Sequence, residues 1–150
     1  MNPEEIKNFL NLGTMTAKVS TASLDSTPHV APVWFVVDYD PRSSSGDKDF
    51  TIIFTTSYDS VKARHLTSNP KICLCVDDQK PPFSFIIFNG IAEIDQHPNY
   101  DELLRLTSRI AERYMGKENA EKYGKRNAVK GECIIKIKPR KIIAQKNVSE

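Results

Sequence analysis

Hydroxyl and basic side chains crowd one short stretch of the sequence, Asp49 to Leu66, D-F-T-I-I-F-T-T-S-Y-D-S-V-K-A-R-H-L. Thr55, Thr56, Ser57 and Ser60 are followed by Lys62 and Arg64. The pattern predicts a strand that ends in hydroxyls and turns into a short helix. A helix start presents unpaired N–H groups and the positive end of its dipole, so this junction is chemically suited to a phosphate. Helix capping by Ser57, Asp59 or Ser60 explains the same residues, and local chemistry alone favours it. Asp59 would compete with an anion at that helix start. Lys62 and Arg64 are two apart and leave a helix in different directions, so Lys62, one turn in, is the preferred cation and Arg64 the weaker one.

Other reactive residue types lack the spacing chemistry requires. His29, His65 and His97 show no metal-ligand pattern, so no metal site is expected. Cys73 and Cys75 share one strand face and, with Cys133, read as core packing. Three cysteines, an odd number, do not make a disulfide framework, and reduced thiols in a cytoplasm are the expectation. Trp34 has two readings: a core or dimer contact, or a wall for an aromatic ring. The basic run I-K-I-K-P-R-K-I-I is better explained as a solvated strand edge than as a nucleic-acid surface, because no aromatic platform accompanies it.

The elements that must position these residues follow from periodicity. Pro3 to Leu12 predicts an amphipathic helix, and Thr14 to Ser23 a strand with Met15, Ala17, Val19 and Thr21 on one face. His29 to Tyr39 predicts one long strand, where Pro32 marks an edge, a bulge or an opening in the sheet. Pro41 to Lys48 predicts a flexible hairpin loop. Strands follow at Phe50 to Thr56, Lys71 to Asp77 and Phe83 to Ile94, with a short helix at Ser60 to Leu66. Gly90 inside the last of these strands signals a bulge or a close backbone approach. Pro98 to Met115 predicts a helix with Leu103, Leu104, Leu106, Ile110, Ala111 and Tyr114 on its apolar stripe. A charged helix at Glu118 to Arg126 and two closing strands, Glu132 to Lys138 and Lys141 to Gln145, complete the chain. Short turns between many short strands favour an antiparallel barrel or sandwich within a single domain. At 150 residues, 39% hydrophobic and 27% charged, the chain is of ordinary globular composition, and a net charge of +2 gives no argument for nucleic acid. No apolar run approaches the ~20 residues of a membrane helix, and the polar first residues do not read as a signal peptide.

The ordered segments H-V-A-P-V-W-F-V-V, F-T-T, S-V-K-A-R-H-L, C-L-C-V-D-D and P-P-F-S-F resemble the flavin-binding split-barrel superfamily, which includes pyridoxamine 5'-phosphate oxidase. With R-I-A-E-R-Y-M-G and Y-G-K-R-N-A-V, the chain is most similar to its small deazaflavin (coenzyme F-420)-dependent branch. The resemblance spans about Gly13 to Ala144. It implies a mainly β fold, a six-stranded antiparallel split barrel, Greek-key-like, with peripheral helices. It implies a homodimer with the cofactor, a deazaflavin or FMN, at the interface. The cofactor phosphate would lie on Thr55, Thr56, Ser57, Ser60, Lys62 and Ala63, and the ring along Ala31, Pro32, Val33 and Trp34. The implied activity is hydride transfer to or from a small unsaturated or carbonyl substrate, with no nucleic acid or membrane partner. A non-catalytic flavin or haem carrier on the same scaffold is the alternative. The C-terminal arginine- and histidine-bearing substrate segment of pyridoxamine 5'-phosphate oxidase itself has no counterpart in the sequence. Neither FMN nor the deazaflavin is singled out. The cofactor carries the reactive atom in such chemistry, so no catalytic residue is assigned, although Tyr58 and His65 are available as proton donors.

Overall fold

The computed structural model describes residues 1–40, 42 and 49–150. The loop expected over 41–48 therefore lies, apart from Arg42, outside the described residues. The chain opens with helix α1 (Pro3–Leu10), held by a reciprocal capping box in which Asn2 Oδ1 accepts from the Glu5 N–H and Glu5 Oε2 from the Asn2 N–H. Seven strands follow: β1 (Ala17–Ala22), β2 (Pro28–Val33), β3 (Val36–Tyr39), β4 (Phe50–Ser57), β5 (Lys71–Asp77), β6 (Phe85–Asp95) and β7 (Glu132–Gln145). Helix α2 (Val61–Ser68) links β4 to β5, and α3 (Tyr100–Met115) and α4 (Ala120–Asn127) link β6 to β7.

All the ladders are antiparallel and join the strands in the order β2-β1-β5-β6-β7-β4-β3. The two outermost strands, β2 and β3, are consecutive in sequence and separated by Trp34 and Phe35 alone. Two residues cannot cross a flat sheet whose strands lie ~4.8 Å apart, so the sheet must roll until its edges nearly meet. Among the described residues no ladder joins β2 to β3, and the barrel is split there.

This corrects the expected six strands to seven. The expected single strand His29 to Tyr39 breaks at Trp34 and Phe35, into two strands on opposite sides of the split. Pro32 sits on an edge strand, where its missing N–H costs no ladder bond. The two expected closing strands are instead one strand, because Pro139 is accommodated by a bulge in β7 opposite Asn89 and Gly90 of β6. Asn89 pairs with Lys141 and Gly90 with Pro139, so Arg140 is the extra residue. A Cβ on Gly90 would sit 2.9 Å from Ile137 Cγ2 and from the Lys138 carbonyl oxygen, which explains the glycine.

The barrel interior is filled by Phe35, Phe54, Phe88, Leu74 and Ile86, with Phe9 and Leu10 of α1 closing one end and Leu66 of α2 packed into the same core. Each such side chain, taken from water, contributes about 1.5–3 kcal/mol. A second cluster lies outside the barrel, where Leu103, Leu106 and Ile110 of α3 cover Val36, Ile53 and Ile134. With both faces covered, β3, β4 and the first half of β7 read as continuous apolar runs. Among the described residues, none covers the outer face of β2, β1, β5 and β6 in this way. Cys73 and Cys75 lie on that face and are only half-buried, so the expectation that they pack in the core is wrong for both; the core residues of β5 are Ile72, Leu74 and Val76. Cys133 is buried, as expected. Among the described residues no helix is long and apolar enough to cross a membrane, and no cluster of His, Cys, Asp and Glu could hold a metal ion.

Candidate functional site

The hydroxyls of the β4–α2 junction form a short relay. Thr56 Oγ1 donates to Ser60 Oγ at 3.0 Å, and the same oxygen accepts the Ala63 N–H at 3.1 Å, making Ser60 the N-cap of α2. Two bonds received at one oxygen leave the Ser60 proton to be donated. The N–H groups of Val61 and Lys62, in the first turn, have no intrahelical acceptor. Ser57 Oγ donates to Asp59 Oδ1 at 2.6 Å, which directs Asp59 to the Ser57 side of the turn. Ala63 is buried and Arg64 exposed, so the cation that turns inward is Lys62.

The other wall comes from the split. Trp34 stacks on Tyr114 of α3 with ring centroids 4.9 Å apart and planes 3° from parallel. Tyr114 is itself fixed: its hydroxyl donates to the Met15 carbonyl at 2.7 Å and accepts the Phe35 N–H at 3.2 Å. Next to it, the Arg113 guanidinium donates to the carbonyls of Leu10, Gly13 and Phe35. Burial holds the Arg113 pKa below and the Tyr114 pKa above their ordinary values. Trp34 nevertheless remains 41% exposed, so one side of the indole rests on Tyr114 while the ring stays open to solvent.

These two parts meet in one open groove of ≈ 350 Å³. Pro32, Val33 and Trp34 line it from the split, and Thr55, Thr56 and Lys62 from the junction. Of the other residues expected at the site, Ala31, Ser57, Ser60, Ala63 and Arg64 are not among its walls; Ser60 acts on it through Thr56 and the helix start. Tyr58 and His65 are not walls either. Tyr58 is exposed beside Gly131, and His65 Nδ1 lies 3.0 Å from Thr21 Oγ1 with the His29 ring packed edge-on.

Glu132, Asn127 and Ile110 complete the groove and were not anticipated. Gly131, with φ +90°, makes the turn into β7, and the Cα register sets Glu132 opposite Ser57. Burial pushes the Glu132 carboxyl up while Lys62 draws it back, and burial pulls Lys62 down while Glu132 supports it. The Glu132 position is legible only once the pairing of β4 with β7 is known.

The groove thus offers an open indole and apolar wall at one end, and hydroxyls, helix N–H groups and a cation at the other. That donor set fits a planar ring that carries a phosphate.

No curated protein matches the sequence. Several solved structures share the architecture. A conserved hypothetical protein of Mycobacterium tuberculosis superposes with a TM-score of 0.76 at 23% identity, covering 98% of this chain and 86% of that one. An F420 reductase gives 0.62 at 22% identity, over 92% and 96% of the two chains. HutZ, the haem storage protein of Vibrio cholerae, gives 0.66 at 15% identity, over 94% and 92%. At these identities the likeness establishes the fold alone. The sequence itself matches the family described as Pyridoxamine 5'-phosphate oxidase over residues 3–146, nearly its whole length. With that match and this split barrel, the chain belongs to the pyridoxamine 5'-phosphate oxidase family.

Proposed function

We propose that the groove binds a phosphorylated flavin-type cofactor, the deazaflavin F-420 or FMN, and that the protein is an oxidoreductase acting on a small unsaturated or carbonyl substrate. One observation carries this reading: Pro32, Val33 and Trp34 share a single groove with Thr55, Thr56 and Lys62. The bound ring supplies hydride chemistry. The chain's own residues bind and orient. Trp34, braced by Tyr114, supports one face of the ring. Lys62, the Ser60 proton and the first N–H groups of α2 hold the phosphate and fix the register of the ring along the split. Family membership and the F420 reductase that shares the fold support the reading.

A homodimer belongs to the same proposal. One cross-strand row on the uncovered outer face runs Pro32, Lys18, Cys75, Ile87, Ile143, and Val30 lies in the next row, 64% exposed. The row begins at a groove residue, so a second copy seated on this face would border the groove. Sedimentation of the pure protein gives a dimer, and Val30→Lys shifts it toward monomer; a monomeric wild type refutes this part.

Titration with FMN and with the deazaflavin, followed by absorbance and fluorescence, tests the main reading. Binding tighter than roughly 100 μM, about −5.5 kcal/mol, is expected for at least one of them. Failure of both removes the oxidoreductase reading. The fold also serves a haem storage protein, which gives a carrier as the second reading. Tight binding without turnover of reduced cofactor across a panel of enones and aldehydes would favour the carrier.

A further inference from the structure

The groove contains an acid as well as a base. Glu132 enters from the first residue of β7 and Lys62 from the first turn of α2. They interact as charges across a gap, each offsetting part of the effect of burial on the other. Other charges on the elements that line the groove have partners or point outward. Asp59 receives the Ser57 hydroxyl and Arg64 is exposed. On α3, Arg109 pairs with Asp38 and Arg113 with three carbonyls; on α4, Arg126 lies against the Tyr123 ring. Among the described residues, the two formal charges that line the groove are opposite in sign.

A phosphate monoester carries about −1.5 to −2 near pH 7, and a diester about −1, because only the monoester has a second ionisation, with a pKa near 6. Beside Lys62 alone, the second charge would gain Coulomb energy in proportion to its size. Glu132 offsets part of that gain. The dehydration of the dianion remains, and it grows faster than the charge. A groove of this kind disfavours the second charge.

We propose that Glu132 is a specificity-determining residue that sets the groove for a phosphodiester rather than a phosphomonoester, and so for F-420, whose phosphate is a diester, over FMN, a monoester. The inference rests on the reading that a phosphorylated ring occupies the groove.

The test uses four ligands on the full chain: riboflavin, FMN, the methyl phosphodiester of FMN, and F-420. The FMN methyl ester keeps the ring and side chain of FMN and removes one charge. Wild type binds the methyl ester about threefold or more tighter than FMN. Glu132→Gln, nearly isosteric, strengthens FMN by roughly the square of the factor by which it strengthens the methyl ester, and moves riboflavin by less than about twofold. Equal gains for both esters, or a wild type that prefers FMN, overturn the role of Glu132 while leaving the cofactor reading intact. The wild-type preference decides the matter even where the variant folds poorly. If none of the four ligands binds wild type, the cofactor reading falls and this inference with it.

Discussion

The two ends of the groove are built differently. The phosphate end is local. Its key bonds, Thr56 to Ser60 and the Ala63 N–H to Ser60, span four and three residues. The ring end is assembled across the chain. The Phe35 N–H reaches Tyr114 over 79 residues, and Arg113 reaches the Leu10 carbonyl over 103. A local site can form as soon as its strand and helix exist. A wall held from three distant segments exists only when the barrel is closed, so its integrity reports on the whole fold.

The sharpest way to break this contrast is Arg113→Met. The substitution keeps much of the aliphatic volume and removes three donors to carbonyls of α1, its following turn and the β2–β3 link. Charged hydrogen bonds contribute about 1.5–3 kcal/mol each, reduced here because Arg113 is only half-buried, so a loss of about 3–4 kcal/mol in urea unfolding is expected. A loss below about 1 kcal/mol would show that the ring wall does not depend on this clamp.

Lys62→Ala acts at the other end and should leave unfolding nearly unchanged. It weakens FMN or deazaflavin binding by about 1.5–3 kcal/mol, the value of a charged hydrogen bond, and leaves riboflavin binding as it was. Unchanged cofactor affinity removes Lys62 from the phosphate site. Trp34→Ala gives the complementary pattern. It weakens riboflavin and its phosphorylated forms alike, by about 1–2 kcal/mol, because stacking does not read the phosphate. A Trp34 variant that affects only the phosphorylated ligands would mean that the ring does not lie on this wall.

The same contrast explains what could be read from sequence. Cap chemistry declares itself within a few residues, so Ser60, Lys62 and the strand ending in Thr55 and Thr56 were visible. The apolar stripe of α3 was equally plain, since periodicity is local. Tyr114 belonged to that stripe, and nothing in the sequence tells a stripe residue that fills a core from one that backs an exposed tryptophan 80 positions upstream. The split itself was hidden for a different reason. Val33 to Val37 is apolar throughout, because Val33 and Phe35 to Val37 are buried around the break, and a continuous run carries no mark where the chain changes strand. Cys73 and Cys75 were misplaced by type: cysteine is usually buried, but the alternation of β5 assigns Ile72, Leu74 and Val76 to the core and leaves the cysteines on the uncovered face. Glu132 looked like any polar residue at a strand start. It became a site residue only through the register that sets it opposite Ser57.

The smallest expected effect separates cap from anion site at one residue. Ser60→Ala removes the acceptor for the Ala63 N–H and for Thr56, and should cost about 1 kcal/mol of stability, within the usual range for an N-cap. That loss alone cannot distinguish a structural serine from one that also donates to a phosphate. Ser60→Asp can, because aspartate caps a helix as well as serine does but places a negative charge at the helix start. If Ser60 only caps, Ser60→Asp keeps both the stability and the cofactor affinity of wild type. If the phosphate rests on the first turn of α2, Ser60→Asp keeps the stability and loses FMN and deazaflavin binding, while riboflavin binding survives. The second outcome is the expected one, since Ser60 Oγ already accepts both bonds that a cap requires and has only its proton left to give.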